Sequence, residues 1–307
     1  MIVPSVDLQD KKAVQLKQGK DKMLENSDPV GLAGEFNFFS EIAVIDLDAA
    51  IRTDGLNNED VISEIAAISD CRVGGGIRSA AKAEKIIKLG ATKVIIGTGA
   101  FRDGRLNTSF LDDLKSSVGK DHIILAVDTY EGEIVTHGWK KKTGIMLSEI
   151  ASGLEDYASE LLFTCVEKEG MLQGADLGRI RSLKEKTSLD ITAAGGISTL
   201  DEISTLSEMG CSCQLGMSIY TGKISLEDAL FHSICWDHDK IPVTVMSGAS
   251  EIIFSGWTSR KYFRETLKDR KCRIIDEIGD RLDIHAESTI KKIRNSRLND
   301  SVTITLS

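Results

Sequence analysis

Two aspartates stand in matching surroundings. Asp7 closes the apolar run IVPSVDL, and Asp128 closes the run IILAVDT, 121 positions further on. A strand-like apolar run that ends in a carboxylate buries its body and presents the acid at its rim. Two such acids facing one another can act as proton donor and proton acceptor on either side of one small molecule, a service that contributes roughly 10²–10⁴-fold to a reaction rate. An aspartate at a strand end can equally cap a helix or pair with a lysine, and Asp46 and Asp48 in VIDLDAA are read as structural or positioning residues of that sort.

The second chemical signal is glycine. VGGGIRS carries Gly75 and Gly76, and AAGGIST carries Gly195 and Gly196, 120 positions later. Each is followed by a second glycine turn: VIIGTGAF with Gly97 and Thr98, and CQLGMSIY with Gly216, Met217 and Ser218, their glycines 119 apart. Glycine lets a backbone approach a ligand closely, and a helix start offers unpaired N–H groups at the positive end of its dipole, a combination that suits phosphate. Two matched sites imply a substrate with a phosphate at each end.

These residues need a frame that brings both ends of the chain to one rim. Landmarks in one order at nearly one offset indicate two homologous halves. The strand candidates IVPSVDL, EIAVIDLD, CRVGGG, KVIIGT, IILAVDT, LLFTCVE, DITAAGG and SCQLGM are apolar almost throughout, as strands covered on both faces are. Helical patterns separate them: SDPVGLAGEFNFF with Asp28 as cap and Pro29 at the first position, NEDVISEIAAI, AAKAEKIIKLG, SEIASGLEDYASELL, DLGRIRSLKEK, TLDEISTLSEMG and SLEDALFHSI. Eight alternations in two similar halves predict an α/β fold, a (β/α)8 TIM barrel, over residues 1–236. An open doubly wound sheet, the runner-up, has no need of two four-strand halves. In a barrel of this kind the strand C-termini form the active face, which is where both aspartates and all the glycine turns fall.

The repeat stops after SICWDHDK. From Ile241 the chain reads as a strand pair turning at Ser247-Gly248, a helix from Ser259 and further short strands, a small α+β domain over 241–307 with its boundary near Asp237 to Lys240. The chain has 307 residues, 41% of them hydrophobic and 28% charged, with a net charge of −9, which weighs against nucleic acid or an anionic membrane as partner. No apolar run approaches the ~18 residues of a membrane helix, and the start lacks the pattern of a signal peptide. The six cysteines, Cys71, Cys165, Cys211, Cys213, Cys235 and Cys272, form no CxxC pair and read as reduced thiols. No metal-ligand spacing appears among them or the histidines. A cytoplasmic enzyme without metal or cofactor is the expectation.

Taken in order, IVPSVDL, VIDLDAA, VGGGIRS, VIIGTGAF, AVDTYEGEIVTHGW, AAGGIST and GMSIYTGKISLEDAL resemble the phosphoribosyl (ProFAR) isomerases of histidine biosynthesis, over residues 1 to 235. The resemblance implies a bis-phosphorylated aminoaldose joined to an imidazole carboxamide as substrate and a cofactor-free Amadori rearrangement to the aminoketose. It implies Asp7 as the base at C2, Asp128 as the acid at the ring oxygen, and Thr164 as a polar group orienting the intermediate. Trp139, on the loop after strand 5, would stack on the imidazole. The substrate-binding set is then Gly76, Arg78, Gly97, Thr98, Trp139, Gly174, Gly196, Gly216, Met217 and Ser218. Four places depart from the family pattern. Cys165 stands where many members have Asp, and Glu169-Gly170-Met171 stands for DGT. Asp10-Lys11-Lys12 stands for DGK, and Gln15 stands for an Arg.

The tail resembles the start of phosphoribosyl-AMP cyclohydrolase, with acids at Asp276 and Glu277 where a basic stretch belongs, and Ser296, Arg297 and Leu298 where metal ligands belong. A vestigial or dimer-forming domain is the expectation. Two other functions fit the barrel: the related cyclase that closes the imidazole ring, and a diverged paralogue without catalysis.

Overall fold

In the computed structural model the described residues are 1–17, 21–37, 39–51, 56–226 and 228–229, together with the backbone of four strands in 251–306. Eight parallel strands close on themselves: β1 (Ile2–Gln9), β2 (Ile42–Asp46), β3 (Cys71–Gly74), β4 (Lys93–Ile96), β5 (Ile123–Tyr130), β6 (Glu160–Cys165), β7 (Asp190–Ala194) and β8 (Cys211–Leu215). Each pairs with the next, β4 joins the halves by pairing β5, and β8 returns to β1. This is the predicted (β/α)8 barrel, with all eight strands where the apolar runs placed them.

The helices form largely as their patterns direct. Pro29–Glu35 starts at Asp28, whose Oδ1 accepts the Gly31 N–H at 2.8 Å, with proline at the first position. Glu59–Ile68, Ala80–Lys88, Thr108–Val118, Leu177–Lys184 and Leu200–Glu208 each bury one apolar stripe against the strands. The last of them has a reciprocal cap between Thr199 and Glu202. One expectation is corrected: SEIASGLEDYASELL is not one helix. It is a single turn, Leu147–Ile150, then a 3-10 stretch, Ala151–Asp156, and its last residues already belong to β6. Gly153 and Ser152 interrupt the stretch, and Leu161 and Leu162 are taken by the barrel wall. The expected helix SLEDALFHSI and the boundary near Asp237 lie largely outside the described residues.

Side chains alternate between two cores. One set packs between strands and helices, among them Val6, Val44, Val73, Val127, Phe163 and Leu215. The other fills the middle of the barrel with Ile95, Ile124, Leu162 and Ala194, flanked by Ile45 and Ala126. Below this apolar layer the floor is ionic. Arg72 is fully buried; its Nε donates to Glu41 at 2.8 Å, and its Nη1 pairs with Glu160 and donates to Thr192 at 3.3 Å. Lys93 donates to Glu160 at 2.9 Å and Thr92 to Glu41 at 2.6 Å. Two cations thus face two carboxylates, with Arg72 and Glu160 buried and Lys93 reaching the surface, and for the buried Arg72–Glu160 pair removing one partner is far more costly than the pair is worth.

Two hairpins rise from the opposite, C-terminal rim. Lys12–Lys17 and Asp21–Asn26 follow β1; Glu133–Thr136 and Lys141–Met146 follow β5. The tail strands Glu251–Ser255, Cys272–Asp276, Arg281–Asp283 and Ser301–Leu306 form a separate antiparallel sheet, ordered 251–255, 301–306, 272–276, 281–283. The expected turn at Ser247-Gly248, the helix from Ser259, and Glu277, Ser296, Arg297 and Leu298 lie outside the described residues. The described cysteines, Cys71, Cys165, Cys211 and Cys213, are buried unpaired thiols.

Candidate active site

Asp7 sits near the end of β1, half-buried, and burial pushes its carboxyl up to about 7. Asp128 sits near the end of β5. Burial raises it too, by more than the hydrogen bonds from Trp139 and Thr164 lower it. Thr164 is in direct register with Asp128 across the β5–β6 pair and is itself buried. Asp7, Asp128 and Thr164 thus lie at strand ends on one rim.

A third carboxyl joins them. Glu169, just beyond β6, is raised to about 7 by burial first and then by the charges of Asp7 and Asp128. Its Oε2 lies 3.2 Å from where a side chain at residue 195 would begin, so glycine there, at φ +92°, keeps the space open. Sequence reasoning placed Glu169 on the rim as a departure and did not count it with the acids. The available signal was that an acid had been kept while its reach grew by one methylene. Three carboxyls share the mouth, and their environments set them apart from surface acids, a pattern associated with proton-transfer sites.

The hairpin after β5 closes over the group. Trp139 donates from Nε1 to Asp128 Oδ2 at 2.9 Å, and the His137 N–H donates to Thr98 Oγ1 at 3.0 Å. His137, Gly138 and Trp139 all have positive φ, of +56°, +61° and +66°. Such conformations persist in non-glycine residues only where the surroundings impose them. One loop thus touches both the acid and a residue of the first glycine turn.

The two glycine turns are alike in backbone. Gly97 caps the 3-10 turn Thr98–Ala100 at φ −99°, ψ −106°; Gly216 caps Met217–Tyr220 at φ −119°, ψ −95°; neither start carries a side-chain cap. Behind them the paired glycines are needed for packing. A Cβ on Gly76 would lie 2.2 Å from the Ala49 carbonyl oxygen, and one on Gly196 2.7 Å from that of Gly174, whose own N–H donates to Gly196 O at 2.9 Å. Gly174, Gly196, Gly216, Met217 and Ser218 thus gather on one side of the rim, and Gly76, Gly97 and Thr98 on the other. On the Gly196 side the helix from Leu200 is closed by its own acid: Glu202 accepts the N–H groups of Ser198 at 2.9 Å, Thr199 at 3.1 Å and Ala175 at 2.8 Å. Arg78 is exposed and donates to the Ala50 carbonyl at 2.7 Å.

Asp46 and Asp48 are structural, as read. Asp46 accepts Ala49 N–H and both donors of Asn58, and Asp48 accepts Asp10 N–H at 2.6 Å and Asn58 Nδ2 at 3.1 Å. They fasten the turn at Asp10-Lys11, both at positive φ, to the loop after β2. Among the described residues no group of three or more His, Cys, Asp or Glu is arranged to hold a metal ion, and no helix is long and apolar enough to cross a membrane.

A family model described as "Histidine biosynthesis protein" matches residues 1–225. Relatives named 1-(5-phosphoribosyl)-5-((5-phosphoribosylamino)methylideneamino)imidazole-4-carboxamide isomerase are similar over the barrel. The one from Methanocaldococcus jannaschii is 42% identical over 237 residues, 75% of this chain and 98% of the relative. The one from Methanosphaera stadtmanae is 35% identical over 238 residues, again 75% and 98%. The one from Syntrophomonas wolfei is 35% identical over 242 residues, 75% of this chain and 97% of the relative.

Proposed function

The chain belongs to the histidine biosynthesis protein family, and we propose that it is the isomerase its relatives are named for, with Asp7 and Asp128 as the proton-transfer pair. The substrate carries two phosphoribosyl groups, and one of them, an aminoaldose, becomes an aminoketose. The observation that carries this reading is two half-buried carboxyls, both raised by burial, at strand ends on one rim between two like glycine turns.

The steps balance without a cofactor. Asp128 gives a proton to the ring oxygen; the C1–O bond breaks, leaving a hydroxyl at C4 and a protonated imine at C1. Asp7 takes the C2 proton, and the electron pair moves into C1=C2 to give the enaminol. The C2 hydroxyl then returns a proton to Asp128 as the ketone forms, and Asp7 delivers its proton to C1. A base that is half ionised near pH 7 fits this exchange. Thr164 holds Asp128, and Glu169 completes the acid group as a carboxyl able to donate as well as accept near neutrality. Gly76, Gly97 and Thr98 with Arg78 take one phosphate; Gly174, Gly196, Gly216, Met217 and Ser218 take the other; Trp139 stacks on the imidazole.

Residues 1–236 form the catalytic unit and 241–307 a second domain with the cyclohydrolase pattern but not its ligands, vestigial or serving to join two copies of the chain. The enzyme works in the cytoplasm. A steady-state assay with the bis-phosphate aminoaldose tests the activity. Ammonia-dependent ring closure in place of isomerisation would favour the cyclase reading, and tail-bound zinc with ring opening would overturn the view of the tail.

A further inference from the structure

The chain reverses direction three residues after Asp128. Tyr130 pairs with Glu133 and Thr129 with Ile134, so Glu131 and Gly132 are the two central residues of a tight hairpin. Both have positive φ, +52° and +85°. That is the arrangement of a type I′ turn, which favours Asn-Gly or Asp-Gly and leaves a glutamate at its first central position poorly suited. The register of this turn matters twice. It sets the strand end on which Asp128 sits, and it sets where the following strand delivers His137 and Trp139. A slip of one residue would reverse every side chain along that strand.

What holds the unsuited residue is a carboxylate from the neighbouring strand end. Glu167 Oε1 accepts the Glu131 N–H at 2.7 Å and Arg179 Nη1 at 2.9 Å, and Oε2 accepts the Cys165 thiol at 3.2 Å. Arg179 is steadied in turn by Asp176 at 3.4 Å. The other side of the turn is tied by the Leu147 N–H, which donates to Gly132 O at 3.1 Å. Burial pushes Glu167 up, but the Glu131 and other amide hydrogen bonds and Arg179 outweigh it and hold the carboxyl at about 2, so it stays ionised throughout the working range. The isomerisation does not use Glu167, which faces the turn and not the acid group.

We infer that Glu167 is a positioning residue: it selects the left-handed conformation at Glu131, and through that turn places Asp128 and the Trp139 loop for the isomerisation proposed above, on which this role depends. The same inference explains why an otherwise ill-suited Glu-Gly turn is maintained at this point.

The turn offers its own rescue. Glu167→Ala removes the acceptor and should lower kcat about 10-fold or more through Asp128, and raise KM as well through the displaced Trp139 loop. Amide exchange over residues 129–136 should quicken in the same protein. Adding Glu131→Asn supplies a residue that adopts positive φ readily, and should return kcat to within about threefold of wild type and restore slow exchange; Glu131→Asn alone should change neither. Wild-type values in Glu167→Ala would overturn the inference, as would a loss that Glu131→Asn fails to recover. If the wild-type chain shows no isomerase turnover, the functional reading fails, and the exchange rates alone decide whether Glu167 governs the turn.

Discussion

Trp139 Nε1 lies 2.9 Å from Asp128 Oδ2, so the loop that covers the mouth is fastened to one of the acids it covers. An N–H donor favours the ionised carboxylate and so works against the burial that raises Asp128. Trp139→Phe keeps an aromatic ring and removes the donor. The Asp128 carboxyl should then rise further, moving the basic limb of the kcat/KM profile to higher pH, with a loss of about 10-fold at neutral pH. A pH–rate profile identical to wild type would show that the bond has no bearing on the acid.

Asp7→Asn and Asp128→Asn should each lose about 10²-fold or more in kcat with the circular dichroism spectrum unchanged, because each removes one of the two groups proposed to move protons. Near wild-type turnover in either would withdraw that residue from the mechanism.

The raised acids also make stability depend on pH. Asp7 and Glu169 stand at about 7 in the folded chain against 3.8 and 4.5 ordinarily. The folded state therefore holds protons that the unfolded chain releases, and their stabilising effect, complete below about pH 4, is lost as pH rises through about 7. Thermal unfolding should occur at lower temperature at pH 8 than at pH 5, and Asp7→Asn and Glu169→Gln should each flatten that difference and exceed the wild-type Tm at pH 8. A difference that persists undiminished in both variants would assign it to other groups.

Inorganic phosphate should bind at two quasi-equivalent places, beside Gly97 and Thr98 and beside Gly216 and Ser218. One helix-end interaction supplies about 0.3–1 kcal/mol, so several donors must act together and the binding should weaken with salt. Phosphate found elsewhere on the rim in a soaked crystal would contradict the assignment.

Arg72→Met should destabilise the barrel by about 3–5 kcal/mol in denaturant unfolding, because Glu41 and Glu160 would remain buried without their cation. Combining it with Glu41→Gln and Glu160→Gln should recover most of the loss. If the single change proves mild, the floor is better hydrated than its burial implies.

Most of the frame was legible because its signals are local and repeated. Apolar runs marked all eight strands, seven of them closing on Asp or Gly, and Asp28-Pro29 marked a helix start. The two rim hairpins were not legible: KKTGIM mixes exposed and buried positions, and the pairing of the hairpins depends on turns at Asp10-Lys11 and Glu131-Gly132, in each of which one central residue, Lys11 or Glu131, is not a typical turn former. Asp7 and Asp128 were readable from their strand ends, whereas Thr164 came only from the family resemblance. Glu169 was not, because its proximity to both aspartates depends on how the chain leaves β6. The role of Arg72 was hidden for a related reason: a charge within CRVGGG hints at a partner, but nothing local says that the partners are Glu41 and Glu160.

The floor also records what duplication did to this chain. Glu41 and Glu160 are 119 positions apart, Arg72 and Thr192 are 120 apart, and Lys93 corresponds in the same way to Ser212, so the network is drawn from equivalent residues of two ancestral copies. Both halves carry the acid; only the first carries the two cations. A barrel assembled from two first halves would crowd two arginines and two lysines against two glutamates, and one assembled from two second halves would bury two glutamates with no counter-charge. The charge balance of this floor is therefore a property of the two unlike halves together and of neither alone.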